Sequence, residues 1–254
     1  MNMDIQLSID NGIAQLTLDR PQTYNALTLN MYQELGRHFI ELTNNPEVKI
    51  IILTSSSDFF CSGNDMFDFQ TIGHCSEQEI QKHRLDIESF MFNFINCSKP
   101  IIAAVTGPAI GIGTTLLQYC DYVVASSHSY FQTPFTALGL CPEFGASVVL
   151  EKLIGARKAR AMLLFSEKMT ASEASELRFI NAISAKPIKH SYEIAGQLLH
   201  LSINAITHSK RMLKNIQYHN LEETIKQEND LIFQLIQQPD AQARIEKFIE
   251  KSRR

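Results

Sequence analysis

Ile101-Ile-Ala-Ala-Val-Thr-Gly107-Pro-Ala-Ile-Gly111-Ile-Gly113-Thr-Thr-Leu-Leu-Gln118 carries more information than any other stretch of this chain. Ile101 to Val105 is an apolar run of strand length, and it feeds a loop punctuated by glycines. The loop then opens into an apolar helical pattern. A strand-to-helix junction of this kind leaves backbone N–H groups without intrahelical partners, at the positive end of the helix dipole. Upstream, Val48-Lys-Ile-Ile-Ile-Leu-Thr54 runs into Phe60-Cys-Ser-Gly63-Asn64-Asp65-Met66 in the same manner. Two such donors converging on one oxygen would form an oxyanion hole.

Working outward, residues 4–18 alternate in strand fashion around Asn11-Gly12, which predicts a hairpin. Thr28 is placed to cap a helix with apolar positions at Leu29, Tyr32, Leu35, Phe39 and Leu42. Ser76 is placed to cap a second helix, rich in phenylalanine and running to about Ile95. A short strand is expected at Tyr122 to Ala125. Residues 128–150, with Pro134, Gly139, Pro142 and Gly145, read as loop. Helices are expected at 156–165, 171–178, 190–201, 202–215, 221–237 and 240–251. Strands and helices in the first half, with helices collected at the end, predict an α/β core and a helical tail. The boundary falls near residue 200, giving a core of 1–200 and a tail of 201–254.

The 254 residues are 44% hydrophobic and 20% charged with a net charge of −4, a balance expected of a soluble globular protein. That balance gives no global reason to expect nucleic acid. The Lys and Arg groups at 152–160 and 208–214 read as solvated helix faces. Five cysteines with wide gaps and no paired spacing are expected to be reduced thiols in a cytosol-like compartment. The first residues lack the regions of a signal peptide, and Lys251-Ser-Arg-Arg254 is not a peroxisomal address. No apolar run approaches the roughly 20 residues that span a bilayer. A cytoplasmic location without a membrane partner is therefore expected. The eight histidines show no metal-binding spacing. Gly111-Ile-Gly113 lacks the further residues of a dinucleotide or phosphate loop, so neither a metal nor a nucleotide cofactor is expected.

Several segments, in order and spacing, resemble the crotonase superfamily of enoyl-CoA hydratases and isomerases. They are Arg20-Pro21 through Asn25-Ala26-Leu27, Phe60-Cys-Ser-Gly-Asn-Asp65, Lys99-Pro100-Ile-Ile-Ala-Ala-Val and Gly107-x-Ala109-x-Gly111-x-Gly113. Cys120-Asp121, Leu138-Gly139, Gly155-x-x-Lys158-Ala159 and Lys168-Met-Thr-Ala171-x-Glu173-Ala174 continue the match. The resemblance implies a spiral of ββα units followed by a helical trimerisation region, assembled as a homotrimer or a dimer of trimers. It implies an acyl-CoA thioester as substrate, with CoA carried by the substrate and no separate cofactor. It also assigns the oxyanion donors to the backbone N–H groups of Asn64 and Ile112.

Hydratases of this superfamily use two glutamates, at positions held here by Thr115 and Phe135. Neither side chain can exchange protons with water as a carboxylate pair would. Leu140-Cys-Pro142-Glu143-Phe-Gly145-Ala-Ser147 instead resembles the peroxisomal type of Δ3,Δ2-enoyl-CoA isomerase, in which one glutamate shuttles the proton. On residue chemistry alone Glu143 reads as a helix-start carboxylate, since it follows Pro142 and precedes a helical pattern; the resemblance reverses that reading. Ser62, Gly63, Asp65 and Met66 either wrap the thioester and CoA arm or are ordinary turn formers. Asn25, Ala26 and Leu27 line the CoA groove or lead into the first helix. Met66, Phe67, Phe69, Phe90, Phe94 and Leu116 are acyl-pocket candidates or plain core, and Gly111 and Phe135 complete the candidate substrate-binding set. Two other functions fit the same resemblance: a non-catalytic acyl-CoA-binding scaffold, or another crotonase reaction such as weak hydration or thioester hydrolysis.

Overall fold

A computed structural model describes residues 4–217 and 220–252. The terminal residues 1–3 and 253–254, on which part of the targeting reading rests, lie outside the described residues. The hairpin forms as expected, with β1 (Ile5–Asp10) antiparallel to β2 (Ile13–Leu18) and Asp10 opposite Ile13. Thr28 caps α1 (Leu29–Asn44), its hydroxyl accepting from the Met31 N–H at 3.2 Å. The strand β3 (Ile50–Ser55) is buried throughout. A helix not expected from the sequence, α2 (Met66–Ile72), follows, capped by Asp65. Ser76 and Glu79 form a reciprocal capping box on α3 (Glu77–Asn96).

The glycine-rich stretch gives β4 (Ile101–Val105), β5 (Ala109–Ile110) and α4 (Ile112–Thr115). A 3-10 turn over Leu116–Tyr119 follows α4, so the expected helix is only one α-turn long. The chain continues through β6 (Tyr122–Ala125), β7 (Tyr130–Gln132), α5 (Ala146–Ile154) and α6 (Ala156–Phe165). Next come β8 (Lys168–Thr170), α7 (Ala171–Glu176), β9 (Ala182–Ile183) and α8 (Pro187–Leu199). The chain ends on α9 (Ile203–Gln217), α10 (Leu221–Ile236) and α11 (Pro239–Ser252).

The loop expected over 128–150 is thus partly wrong. It contains β7 and the first residues of α5. Three residues are too few to show alternation, and α5 starts directly on a glycine whose usual reading is a break.

Strands run in the order β1-β2-β3-β4-β6-β9, parallel from β2 onward, and a smaller sheet has the order β5-β7-β8. Both faces of the large sheet are covered, which explains the unbroken apolar runs of β3 and β4. Ile50 and Ile52 pack with Ile102 and Ala104 under α8, while Ile51 and Leu53 face the main core. In that core Phe39 of α1 meets Phe94 of α3 edge-on at 4.7 Å, and Phe90 meets Phe94 at 5.7 Å. Truncating either α3 ring to alanine would cost about 3–5 kcal/mol. Leu221, Ile225, Ile232 and Ile236 of α10 and Ile245 of α11 join the same cluster, so the last two helices close over their own chain's core. Among the described residues, no helix is long and apolar enough to cross a membrane.

Candidate active site

Two loops meet where both glycine junctions come together. Leu27 pairs in parallel with Asn64: its N–H donates to Gly63 O at 2.8 Å, and its carbonyl accepts from Asp65 N–H at 2.9 Å. In a parallel bridge the flanking groups make the bonds, so Asn64 turns its own N–H to the opposite side. On that side runs the second loop, where Ile110 N–H donates to Cys61 O at 2.8 Å. Gly63 and Gly111 both have positive φ (102° and 56°), and a Cβ on Gly63 would lie 3.2 Å from the Ile110 carbonyl oxygen. Only glycine combines that backbone with that approach. Asn64 and Ile112 each follow one of these glycines. Ile112 opens α4, so its N–H lacks an intrahelical acceptor.

Glu143 is buried, 3% exposed. Its Oε1 accepts from the Thr115 hydroxyl at 2.5 Å, which sets the carboxyl one helical turn from Ile112. Burial pushes its pKa up to about 8; the Thr115 bond opposes the rise and the charge of Glu228 adds to it. Pro142 lies just before it, but Glu143 is not in the first turn of α5, which begins at Ala146. The helix-start reading of Glu143 is therefore set aside. Tyr32 of α1 stands close by, fully buried, with its hydroxyl donating to Asn64 Oδ1. Burial first, and then the Glu143 and Cys61 charges, raise the Tyr32 phenol well above its ordinary range. Burial pushes the Cys61 thiol up to about 12; the hydrogen bond to Gly63 opposes the rise and the Glu143 charge adds to it. Phenol and thiol are both neutral neighbours of the carboxyl.

The other candidates divide into rim and core. Asn25 is buried with φ 57°, and its side chain is fully engaged: Oδ1 accepts from Arg20 N–H, while Nδ2 donates to Phe59 O and Ser57 Oγ. Its part is to hold the loop that carries Ala26 and Leu27. Asp65 caps α2 through the Phe67 N–H and pairs with Arg20 at 2.7 Å. Arg20 also donates to Ala26 O at 3.0 Å, and Ser62 donates to Thr23 O at 3.2 Å, so the 20–27 and 62–65 segments are stitched side by side. Met66 is half-buried at the start of α2, and Phe67 is exposed. Phe69, Phe90, Phe94, Leu116 and Phe135 are buried in the main core.

Three contributors were not identified from the sequence. Tyr32 looked like one more core position of an amphipathic helix. Tyr119, whose hydroxyl donates to Phe144 O at 2.6 Å, and Glu228, which accepts from Gly145 and Ser147, lie far from Glu143 along the chain. No local spacing announces such contacts.

A family description, Enoyl-CoA hydratase/isomerase, matches residues 8–254. Enoyl-CoA delta isomerase 2 of Rattus norvegicus is 38% identical over 172 residues, which is 67% of this chain and 43% of that protein. A Rhodobacter capsulatus protein whose name includes enoyl-CoA hydratase is 35% identical over 176 residues, 69% of this chain and 66% of the relative. The solved structure of Pseudomonas aeruginosa OdaA aligns with a TM-score of 0.90 at 32% identity, covering 97% of this chain and 98% of that one. The chain spans about half the length of the first curated relatives it matches.

Proposed function

The chain belongs to the enoyl-CoA hydratase/isomerase family, and from that premise we propose that it is a Δ3,Δ2-enoyl-CoA isomerase. The observation that carries the reading is the setting of Glu143: one buried carboxyl, bonded to the threonine that closes the one-turn helix Ile112 opens. In a 3-enoyl thioester the C2 proton is acidified by the carbonyl and by the adjacent double bond. The Glu143 carboxylate takes that proton. The electron pair delocalises into a dienolate, and its charge collects on the thioester oxygen opposite the Asn64 and Ile112 N–H groups. The carboxylic acid then returns the proton at C4, the double bond settles between C2 and C3, and Glu143 is a carboxylate again. No water is consumed. The apolar surroundings that raise the Glu143 pKa also suit a base that must work near neutral pH.

Hydration is disfavoured for a structural reason. A second carboxylate would be needed, and the position nearest Glu143 holds Thr115 instead. Glu228 approaches but is no substitute, because its oxygens are occupied by donors from Gly145 and Ser147. In the same reading the rim formed by 20–27 and 62–66 receives the CoA arm. Assembly as a homotrimer or dimer of trimers through the region from 201 onward is part of the proposal; the exposed Leu201, Met212 and Leu213 support it. Light scattering of the purified chain tests it.

The deciding experiment follows the absorbance of the α,β-unsaturated thioester when the protein meets a 3-enoyl-CoA, for wild type and Glu143→Gln in parallel. Turnover in wild type with a loss of about 10³-fold in the variant is expected. Turnover that survives the substitution removes Glu143 from the mechanism. Tight acyl-CoA binding with no turnover in either protein favours a binding or scaffold role.

A further inference from the structure

Helix α5 begins without a capping side chain of its own. Its N-cap is Gly145, and both Phe144 and Gly145 hold left-handed backbone (φ 56° and 71°). The missing cap comes from α10, eighty-one residues further along. Glu228 accepts from the Gly145 N–H at 2.6 Å, the Ser147 N–H at 3.0 Å and the Ser147 hydroxyl at 2.5 Å. A carboxylate here offsets the orphan donors and the positive end of the helix dipole, as an aspartate N-cap would. The Tyr119 hydroxyl also holds the turn, donating to the Phe144 carbonyl. Glu143 sits immediately before this doubly held turn and is tied to it, its carbonyl accepting from the Ala146 N–H at 3.0 Å.

Glu228 is 8% exposed, and burying a carboxylate is costly unless its partners compensate. The helix that carries it is itself anchored. Arg84 of α3 pairs with Glu88 at 2.9 Å and with Asp230 of α10, and the Cys141 thiol donates to the Glu228 carbonyl at 3.7 Å. We propose that Glu228 is a positioning residue for Glu143: by capping α5 across the fold it makes the orientation of the catalytic carboxyl conditional on docking of α10. The tail then belongs to the site of its own chain. The proposal relies on the isomerase reading for its kinetic test only.

The titratable groups facing Glu143 are Tyr32 from α1, Cys61 from the loop after β3, Cys141 from its own segment and Glu228 from α10. Burial holds the phenol and both thiols neutral; it also raises the Glu228 carboxyl, but there the bonds from Ser147 and Gly145 favour the ionised form, and Glu228 is the group among them whose charge acts on Glu143. Removing it lets the Glu143 pKa fall, and the acid limb of the pH–rate profile moves to lower pH. A residue that served stability alone would lower Tm and leave that limb in place.

The test compares full-length wild type, Glu228→Gln, Glu228→Asp and Ser147→Ala, with kcat and KM followed from about pH 6 to about pH 10. Glu228→Gln should lose about tenfold or more in kcat with KM little changed, and its acid limb should drop by about half a unit or more. Glu228→Asp should recover part of both. Ser147→Ala should give a smaller change in the same direction, and it carries the test if Glu228→Gln does not fold. A folded Glu228→Gln, or failing that a Ser147→Ala, with wild-type kcat and an unmoved limb overturns the proposal. If wild type itself does not isomerise, the isomerase reading fails separately. The carboxyl ¹³C titration of Glu143 in unliganded wild type and Glu228→Gln (or Ser147→Ala) then decides the positioning role without turnover: a lower midpoint in the variant supports it, and equal midpoints overturn it.

Discussion

The donor side of the site, residues 62–65 and 110–113, differs from the carboxylate side, residues 140–147, in where its parts come from. The donor side is backbone, placed by two touching glycines within two short loops. The carboxylate side is one side chain aimed by groups from across the chain: Thr115 on its oxygen, Tyr119 on the next carbonyl and Glu228 on the helix that follows. Backbone donors tolerate changes in side chain. A buried carboxyl does not, because its proton affinity depends on every neighbour.

The comparison implies a ranking. On the proposed mechanism Glu143→Gln should be the most damaging change, at about 10³-fold in kcat, since it would remove the proton carrier and leave the backbone donors in place. On the donor side, Gly111→Ala forces a residue with a Cβ into φ 56°, ψ −124°. Its kcat/KM should fall about 10²-fold as the Ile112 amide is displaced. Gly155→Ala is the control. It is strained in the same way at φ 78°, but nothing lies within 4 Å of the added Cβ, so it should lower Tm and leave kcat/KM alone. If the two glycine variants lose activity equally, the donor side is not local after all.

A third consequence concerns stability. The folded pKa of Glu143 is about 8 against an ordinary 4.5. Between those values the native state keeps a proton that the unfolded state has released, so stability falls as pH rises. The contribution is complete below the unfolded value and is lost as pH climbs through the folded one. Wild type should therefore lose on the order of 2–4 kcal/mol relative to Glu143→Gln between about pH 5 and about pH 8. Urea unfolding of the pair at both pH values measures it, and parallel slopes would show that the carboxyl is not desolvated in the protein.

The same contrast explains what the sequence revealed. The hairpin at Asn11-Gly12, the caps at Thr28 and Ser76, and the apolar runs of β3 and β4 are local signals, and each became the expected element. The glycine junctions were legible because positive φ and close backbone approach demand glycine. By contrast, α2 went unread because Asp65, its cap, looked like turn chemistry, and α5 because it opens on Gly145. The part of Glu228 was hidden for a deeper reason. A cap supplied from eighty-one residues away leaves no pattern near the helix it caps. Phe90 and Phe94 show the converse limit: helical spacing identified an aromatic face, and only packing against Phe39 shows that it belongs to the core.

Thr115 is where the two sides touch, and it offers the finest test of their separation. It closes the one-turn helix that Ile112 opens, so it belongs to the donor loop by sequence. By contact it belongs to the carboxylate, donating to Oε1. Valine keeps the shape and deletes the hydroxyl. The lost bond had favoured the ionised form, so in Thr115→Val the Glu143 pKa rises further and the acid limb moves to higher pH, opposite to the displacement expected for Glu228→Gln. A loss of about tenfold in kcat near neutral pH should accompany it, shrinking as pH rises because more of the base becomes ionised. Loss that is flat across pH would instead mean that valine has shifted the Ile112 amide. The hydroxyl would then serve the donor side, and the two sides would not be separable.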